Sequence, residues 1–549
     1  MKGVDDRPQV EPANGAGSMH VPEPLVECRG RCLPDRRAHS DRHDELWVLY
    51  NRGVVCRPVG DLRVREAELS GPSAGISDMP LKVRCSMVAT MAAALGGCHS
   101  GPAGGTPTPT PTPTPTSTPS PTPTPTPYNV LLIVVDDLGL RVGCYGAPVV
   151  TPHIDALAAR GVRMSRAYCG YPLCAPSRSS FLTGLRADRV SSTQVPFRTV
   201  YPSVVSLPQN FRAQGYYTAG IGKVFHDDVG WDNSGEWEHF EQDFANTPLG
   251  SAGQGEDLTR GHLTCCRWQS AEGTDDDQAD GLIAQAAIRV LENRPSRPFL
   301  LGVGFHKPHD PFAAPTRYFD SYPLSGVLTT QPPGNDRADI PVAALPDAFP
   351  FTADEARQLT QAYYASTSFV DVQVGRVLSA LDRLELRDKT IVVLVGDNGR
   401  HEGEHQHWDK NTLFAPSVNV PWVFAGPGVV AGRVYAEPVE LLGLYATLAE
   451  MCGLAIPSTV EGASLASVLR GSSDAGPRAA FNMATPNGVV GHQIATSLWH
   501  YNEWGTNGRD GMELYDEQHE PGEITNLAHE TAYATVVSDL QQRLRAHWQ

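Results

Sequence analysis

Asn129-Val-Leu-Leu-Ile-Val-Val135 runs straight into Asp136-Asp137. The apolar run is too short for a helix of its own and shows no polar alternation, so it reads as a strand buried on both faces of a sheet. Three more strands end in reactive side chains. Tyr217-Thr-Ala-Gly-Ile221 leads into Gly222-Lys223-Val224-Phe225-His226, and Phe299-Leu-Leu-Gly-Val303 leads into Phe305-His306-Lys307-Pro308-His309. Thr390-Ile-Val-Val-Leu-Val395 leads into Asp397-Asn398-Gly399. Such strands alternate with helical segments from residue 128 to about 470, the pattern of an α/β domain with a doubly wound, mostly parallel sheet flanked by helices. In these sheets ligands bind beyond the carboxyl ends of the strands. The four termini are therefore expected to meet in one crevice, bringing carboxylates, an amide, imidazoles and an ammonium together. Taken singly, an Asp pair after a strand is often a turn or cap, and a lone His226 is more often structural than catalytic. Their joint arrangement is what points to a site.

Between the first two strands, Thr151-Pro152-His153-Ile154-Asp155 to Arg160-Gly161 reads as a scaffold helix, with a Thr cap, Pro in its first turn and Gly beyond its end. Upstream of the domain, Thr106 to Pro127 is an almost strict Thr-Pro alternation. Proline fixes φ and removes the amide donor, so this tract is expected to be an extended, solvated stalk. Before it, the basic start Met79-Pro80-Leu81-Lys82-Val83-Arg84 and the apolar run Met87 to Leu95 have the layout of a secretory signal. An internal buried helix is the competing reading, but Gly96-Gly97 and the Pro/Thr tract leave it nothing to pack against. Leu95-Gly96-Gly97-Cys98 closes the run and resembles the lipobox of bacterial lipoproteins, which implies cleavage before Cys98 and its lipidation. The expected layout is an upstream extension over 1–78, a leader over 79–97, lipidated Cys98 and linker over 98–127, a catalytic domain over 128–470 and a subdomain over 471–549. The protein is thus expected to be an exported bacterial lipoprotein of the cell envelope or surface, held to the membrane by its lipid alone. Intact mass of membrane-extracted protein should begin at Cys98; residues 1–78 in the mature polypeptide would contradict this.

Residues 1–127 carry 13 acidic and 13 basic side chains, so the whole formal charge of −17 falls on 128–549. That excludes nucleic acid as a general partner, and an anionic substrate must be met by local cations inside a cleft. Six cysteines lie in the globular part: Cys144, Cys169, Cys174, Cys265, Cys266 and Cys452. Their spacing suggests no zinc site. Export permits disulfides, and the vicinal Cys265 and Cys266 are expected to bond elsewhere more easily than to each other.

Tyr171-Pro-Leu-Cys174-Ala175-Pro176-Ser177-Arg178-Ser-Ser-Phe-Leu-Thr183-Gly184-Leu-Arg186 resembles the signature of the type I sulfatases, formylglycine-dependent members of the alkaline phosphatase superfamily. A buried or disulfide-bonded cysteine would explain Cys174 but not Pro176, Arg178 and Thr183-Gly184 at their offsets. The resemblance extends from Asn129 to the C-terminus. Gly222 to His226 and Gly304 to His309 are most similar to the iduronate-2-sulfatase branch. Leu444-Tyr-Ala-Thr-Leu448, Cys452-Gly453-Leu454, Leu514-Tyr515-Asp516, Pro521-Gly522-Glu523 and Thr525-Asn526-Leu527 resemble later landmarks. The chain departs at Gly443, where an acidic residue is common, and at Asn398, where the iduronate enzyme has His. Asn398 is the ordinary sulfatase choice and bears on the substrate rather than the reaction.

The resemblance implies an alkaline-phosphatase-like fold with a smaller C-terminal α+β subdomain, a small antiparallel sheet with a terminal helix closing one side of the cleft. It implies hydrolysis of sulfate esters, on sulfated carbohydrates, after a formylglycine-generating enzyme has oxidised Cys174. Asp136, Asp137, Asp397 and Asn398 offer only oxygen ligands, which suits Ca2+ rather than zinc, with the modified Cys174 beside the ion. Lys223 and Lys410 would neutralise the sulfate oxygens, and Arg178 would hold the formylglycine hydrate. His306, with Lys410, is the expected acid for the leaving alcohol and His226 the base, two roles open to exchange. His309, His401, His405 and His407 are candidates for the pocket lining, or else solvated loop residues. Two rivals remain: a phosphate or phosphonate ester hydrolase of the same superfamily, and a noncatalytic surface lipoprotein that binds sulfated glycans.

Overall fold

The computed structural model describes residues 127–190, 195–227, 233–244, 252–261, 265–349, 351–472 and 479–548. The upstream extension, the leader, Cys98 and the Thr-Pro stretch to residue 126 lie outside the described residues. In chain order the strands are β1 (Asn129–Val135), β2 (Gly161–Tyr168), β3 (Tyr217–Gly222), β4 (His239–Glu241), β5 (Gly253–Asp257), β6 (Arg267–Ala271), β7 (Phe299–Phe305) and β8 (Phe312–Pro315). They continue with β9 (Thr390–Gly396), β10 (Asn419–Ala425), β11 (Arg433–Tyr435), β12 (Val439–Glu440), β13 (Ala480–Ala484), β14 (Gly491–Ala495), β15 (Trp499–Trp504) and β16 (Gly511–Asp516).

The main sheet has the order β11-β2-β10-β9-β1-β7-β3-β4, with β12 alongside β2. Strands β9, β1, β7, β3 and β4 are parallel, and β10 is antiparallel to both β9 and β2. The four strands that end in reactive residues are therefore contiguous, and their carboxyl ends share one edge. The period-two geometry of β1 explains why it is apolar throughout. Val130, Leu132 and Val134 pack with Phe181, Leu182, Leu444 and Leu448, whereas Leu131, Ile133 and Val135 pack with Ile283, Ala287, Val374 and Val377. Helices Cys174–Thr183 and Leu444–Met451 thus cover one face, and Ala279–Asn293 and Ala353–Arg383 cover the other. Each buried side chain of this size contributes roughly 1.5–3 kcal/mol, so a polar substitution in β1 would be costly.

Glycines let β3 and β7 close up where the site begins. A Cβ on Gly304 would stand 1.9 Å from the carbonyl carbon of Lys223, and Gly222 has φ +70°, in the left-handed region. Lys223 N donates to Gly304 O at 2.9 Å, which fixes the root of the lysine against β7.

Three expectations are revised. The helix Pro152–Ala159 forms, but Thr151 makes no side-chain cap bond. The Thr151 hydroxyl instead accepts from Gly143 N, and Asp371 on the long helix accepts from His153 N and Ile154 N. A carboxylate from a packed neighbour thus does the capping. Cys265 and Cys266 are bonded to each other, while Cys144, Cys169, Cys174 and Cys452 are free. A small sheet of order β5-β6-β8, which the alternating pattern did not reveal, lies beside the long helix through β8.

The C-terminal subdomain is an antiparallel sheet of order β13-β14-β15-β16. Ile494, Tyr501 and Leu514 pack on Leu540 and Leu544 of the terminal helix Ala534–Trp548. Among the described residues no helix is long and apolar enough to cross a membrane.

Candidate active site

The edge formed by β9, β1, β7 and β3 presents Asp397, Asp136-Asp137, His306 and Lys223 in that order. Helix Cys174–Thr183 begins at the same place, with Cys174 as its first residue and every residue buried. Asp137 has φ 56°, a conformation Asp tolerates better than most side chains, and this turns the chain sharply after β1. Its backbone N–H donates to Asp397 Oδ1 at 3.0 Å, and Asn398 N donates to the same oxygen at 2.8 Å. Asn398 Nδ2 donates to Asp137 Oδ1 at 2.7 Å. The ends of β1 and β9 are thereby locked to each other.

Arg178 is fully buried and braces the carboxylates. Its Nε donates to Asp397 Oδ2 at 2.7 Å and its Nη2 to Asp136 Oδ1 at 3.0 Å, while Nη1 donates to the carbonyl of Lys223. Beside an unmodified Cys174 the guanidinium's partners are carboxylates and strand-end carbonyls, a bracing role in addition to the one expected from the sequence, holding the formylglycine hydrate. Lys223 Nζ donates to Asp136 Oδ2 at 2.6 Å. Lys410 Nζ reaches both Asp137 Oδ1 and, at 3.0 Å, Cys174 Sγ. Cys174 Sγ lies 3.7 Å from Asp137 Oδ1. All eight residues assigned to the nucleophile, the cations and the metal are thus joined by direct contacts: Asp136, Asp137, Cys174, Arg178, Lys223, Asp397, Asn398 and Lys410.

Electrostatics follow from this packing. Burial opposes ionisation of Asp136, but Lys223 and Arg178 overcome it and hold the carboxyl well below its usual range. Asp137, buried but facing Lys410 and His309, is lowered to about 2. Asp397 is pushed up to about 6, by burial first, with Arg178 only partly offsetting it. Burial, then Asp136, drives the Cys174 thiol well above its ordinary range, so an unmodified Cys174 would be a poor thiolate nucleophile.

The donor set fits a hard cation. Carboxylate oxygens of Asp136, Asp137 and Asp397 converge with Cys174 Sγ, all within 4.8 Å of one another. Asn398 Oδ1 is buried without a hydrogen-bond donor, an acceptor lone pair that only a cation or an added donor would satisfy. Arg178, Lys223 and Lys410 already balance the three carboxylates, so a bound dication would leave a net positive field for an anionic ester.

The histidines divide. His306 Nε2 lies 2.8 Å from Asp227 Oδ2, and its Nδ1 is 3.6 Å from Asp280 Oδ1. Burial works against the imidazolium, yet Asp227 and Asp280 raise His306 above the usual histidine range, and Asp227 is lowered to about 2. His226 lies on the loop after β3, where its carbonyl accepts from Asn233 Nδ2 at 2.8 Å; Asp227 beside it makes the bridge to His306. His309 is closer to the nucleophile than its second rank implied. Its Nε2 is 3.9 Å from Asp137 Oδ2, and with Asp136 and Cys174 it forms a compact group. Its Nδ1 faces the Asp310 carbonyl at 2.6 Å, which assigns the proton to Nδ1 and leaves the Nε2 lone pair toward the site. His401, His405 and His407 are buried, not solvated, and pack with one another and with Phe414 and Phe349. They form the floor of the loop that carries Lys410.

Sequence reading missed Asp227, Asp280 and Tyr363. Asp280 accepts from His306 N and Lys307 N, both at 2.9 Å, and Tyr363 OH donates to Asp137 O at 2.8 Å. Asp227 had a signal, its place directly after Gly222 to His226, whereas Asp280 lies among the carboxylates that open a helix and reads as one more of them.

Comparison with known proteins agrees with this geometry. Residues 128–454 match the family model described as Sulfatase, and residues 403–549 match the model for the C-terminal part of N-sulphoglucosamine sulphohydrolase. The chain is 32% identical to human iduronate 2-sulfatase over 387 residues, covering 60% of this chain and 70% of that protein. It is 30% identical to a sulfatase of Formosa agariphila over 442 residues, 76% of this chain and 86% of that one. A solved 2-O GAG sulfatase superposes with TM-score 0.61 at 25% identity, over 77% of this chain and 92% of its own.

Proposed function

The chain belongs to the sulfatase family and is a sulfuric ester hydrolase, and on that premise we propose that it removes sulfate from sulfated carbohydrates through a formylglycine made from Cys174. The observation that carries the reading is the meeting of Cys174, Lys410 and Asp137 at the head of a buried helix, within the sequence Cys174-Ala-Pro-Ser-Arg178. Sulfated glycans are favoured because the chain is similar to proteins named iduronate 2-sulfatase and 2-O GAG sulfatase. A formylglycine-generating enzyme is then the partner required for maturation. Residues 1–127 support the further proposal of an exported lipoprotein anchored through Cys98.

Asp136, Asp137, Asp397 and Asn398 would hold Ca2+, which supplies positive charge against the sulfate oxygens. Formylglycine supplies, as its hydrate, one hydroxyl for attack on sulfur and a second for releasing sulfate. The chain's own residues do the remainder. Arg178 keeps Asp136 and Asp397 in register, so that the oxygen ligands are set before substrate arrives. Lys410, against Cys174, and Lys223, against Asp136, bring two ammonium groups to the site and neutralise charge that grows on the sulfuryl oxygens. His306, whose protonated form Asp227 and Asp280 favour, is suited to protonate the leaving alcohol. His309 Nε2, with its lone pair toward Asp137 and Cys174, joins His226 as a candidate to take a proton. His309 and His306 are the more exposed members, with side chains 35% and 15% accessible, and so mark the mouth where the sugar enters.

Matched sulfate, phosphate and phosphonate esters of one alcohol test the assignment. The matured protein should turn over the sulfate ester with the highest kcat/KM, and sulfated mono- and disaccharides should outperform simple aryl sulfates. Faster turnover of the phosphate or phosphonate would reassign the chemistry, and saturable binding of sulfated glycans without turnover would make it a binding protein.

A further inference from the structure

Lys410 lies on a loop with no strand or long helix to stiffen it, yet its ammonium must be held at its 3.0 Å contact with Cys174 Sγ. The residue after it supplies the restraint. Asn411 has φ 67°, and its backbone N–H donates to Pro172 O at 3.1 Å, two residues before the nucleophile. Its side-chain amide pairs reciprocally with the backbone N–H and C=O of one residue of the C-terminal subdomain. Nδ2 donates to Thr485 O at 3.2 Å and Oδ1 accepts from Thr485 N at 3.2 Å, as a neighbouring strand would. Thr485 closes the circuit, because its hydroxyl is bonded to the hydroxyl of Tyr171, in the same turn as Pro172. Farther along the loop, Gln493 Nε2 donates to Leu413 O and Glu523 accepts from Ala415 N at 2.7 Å, so the subdomain grips the segment at three points.

We propose that Asn411 is a positioning residue through which the C-terminal subdomain sets Lys410 and the Cys174 turn against each other. Asn suits the place for two reasons: it tolerates the left-handed backbone better than other side chains, and its amide copies the donor and acceptor of a peptide. Removing the amide would leave the segment held by the Pro172 bond, by the His401 N–H bond to Asp409 O and by the grips at Leu413 and Ala415, but without its restraint beside Lys410, and the ammonium would wander from the sulfur where charge develops. The inference rests on the reading of Lys410 as a group acting on the sulfate, and the test separates the two.

Asn411→Gly keeps the backbone conformation and deletes only the amide pairing; Asn411→Asp keeps the acceptor for Thr485 N and faces Thr485 O with a carboxylate. In full-length protein with formylglycine content measured by mass spectrometry, Asn411→Gly should lower kcat about ten- to a hundredfold, since misplacement near 1 Å has that effect, with KM changed much less. Asn411→Asp should fall between it and the parent. In a Lys410→Ala background the glycine substitution should cost nothing further, because the group it positions is gone. Parent kcat in Asn411→Gly, or a full additional loss in the Lys410→Ala background, would overturn the proposal. Parent activity in Lys410→Ala alone would instead overturn the role given to Lys410.

Discussion

Replacing Cys174 by Ala is expected to abolish turnover while leaving the fold in place, and replacing it by Ser to permit at most one sulfuryl transfer per chain. The side chain is 5% exposed at the first turn of a helix whose packing depends on Phe181 and Leu182, so the loss of one sulfur atom is a small structural change. Its chemical effect is total. A thiol driven up by burial and by Asp136 is a poor nucleophile at neutral pH, and a single hydroxyl in its place has no second hydroxyl with which to expel sulfate. Three measurements check this. The Cys174 peptide of active protein should be lighter than its thiol form by the exchange of CH2–SH for CHO, and should react with hydrazides. Cys174→Ala should show no turnover above a mock preparation. Cys174→Ser should give a stoichiometric burst of released alcohol and then stop. Multiple turnovers by purified Cys174→Ala would refute covalent catalysis at this position.

What was legible in the sequence, and what was not, follows from the range of the interactions. The end of β1 could be read because a run buried on both faces must be apolar, and Asp136-Asp137 ends it abruptly. The same holds for β3, β7 and β9, and a parallel sheet then brings their ends together without further information. Cys174 and Arg178 were legible as a local motif, but the direction in which Arg178 points was not, since Asp397 and Asp136 come from strands far away in sequence. Asp227 and Asp280 escaped because a carboxylate that orients His306 looks, in one dimension, like any loop or helix-start acid. Of the two readings open for His401, His405 and His407, the solvated loop fails, because Phe349, Phe414 and the subdomain close over a stretch whose His and Glu suggest solvent. The Asn411 clamp joins residues 74 apart through one amide, a contact no pattern of spacing announces.

Asp397→Asn should remove bound calcium and activity together at a cost in stability, and Asp397→Ala should add the further loss of two buried backbone donors left unpaired. Asp397 has two jobs. Its Oδ1 receives Asp137 N and Asn398 N, and its Oδ2 receives Arg178 Nε, all in a fully buried setting. In both variants Arg178 keeps Asp136 but loses its other carboxylate, and breaking one partner of a buried ion pair costs about 3–5 kcal/mol; alanine also leaves the buried Asp137 N and Asn398 N without their acceptor, roughly 1–3 kcal/mol each. The asparagine variant retains an oxygen for the two backbone donors and removes the negative charge. With three carboxylates reduced to two against Arg178, Lys223 and Lys410, the donor set loses its balance before any dication arrives, so calcium affinity should fall steeply. Turnover should drop roughly a hundredfold or more, the scale of losing one preorganised electrostatic contact to the transition state. Calcium bound per chain by equilibrium dialysis, denaturant midpoint and kcat are to be read on the same preparations of both variants. Parent calcium stoichiometry in Asp397→Asn would remove Asp397 from the ligand set, and equal stability of the two variants would show that Asp137 N and Asn398 N do not depend on an acceptor at position 397.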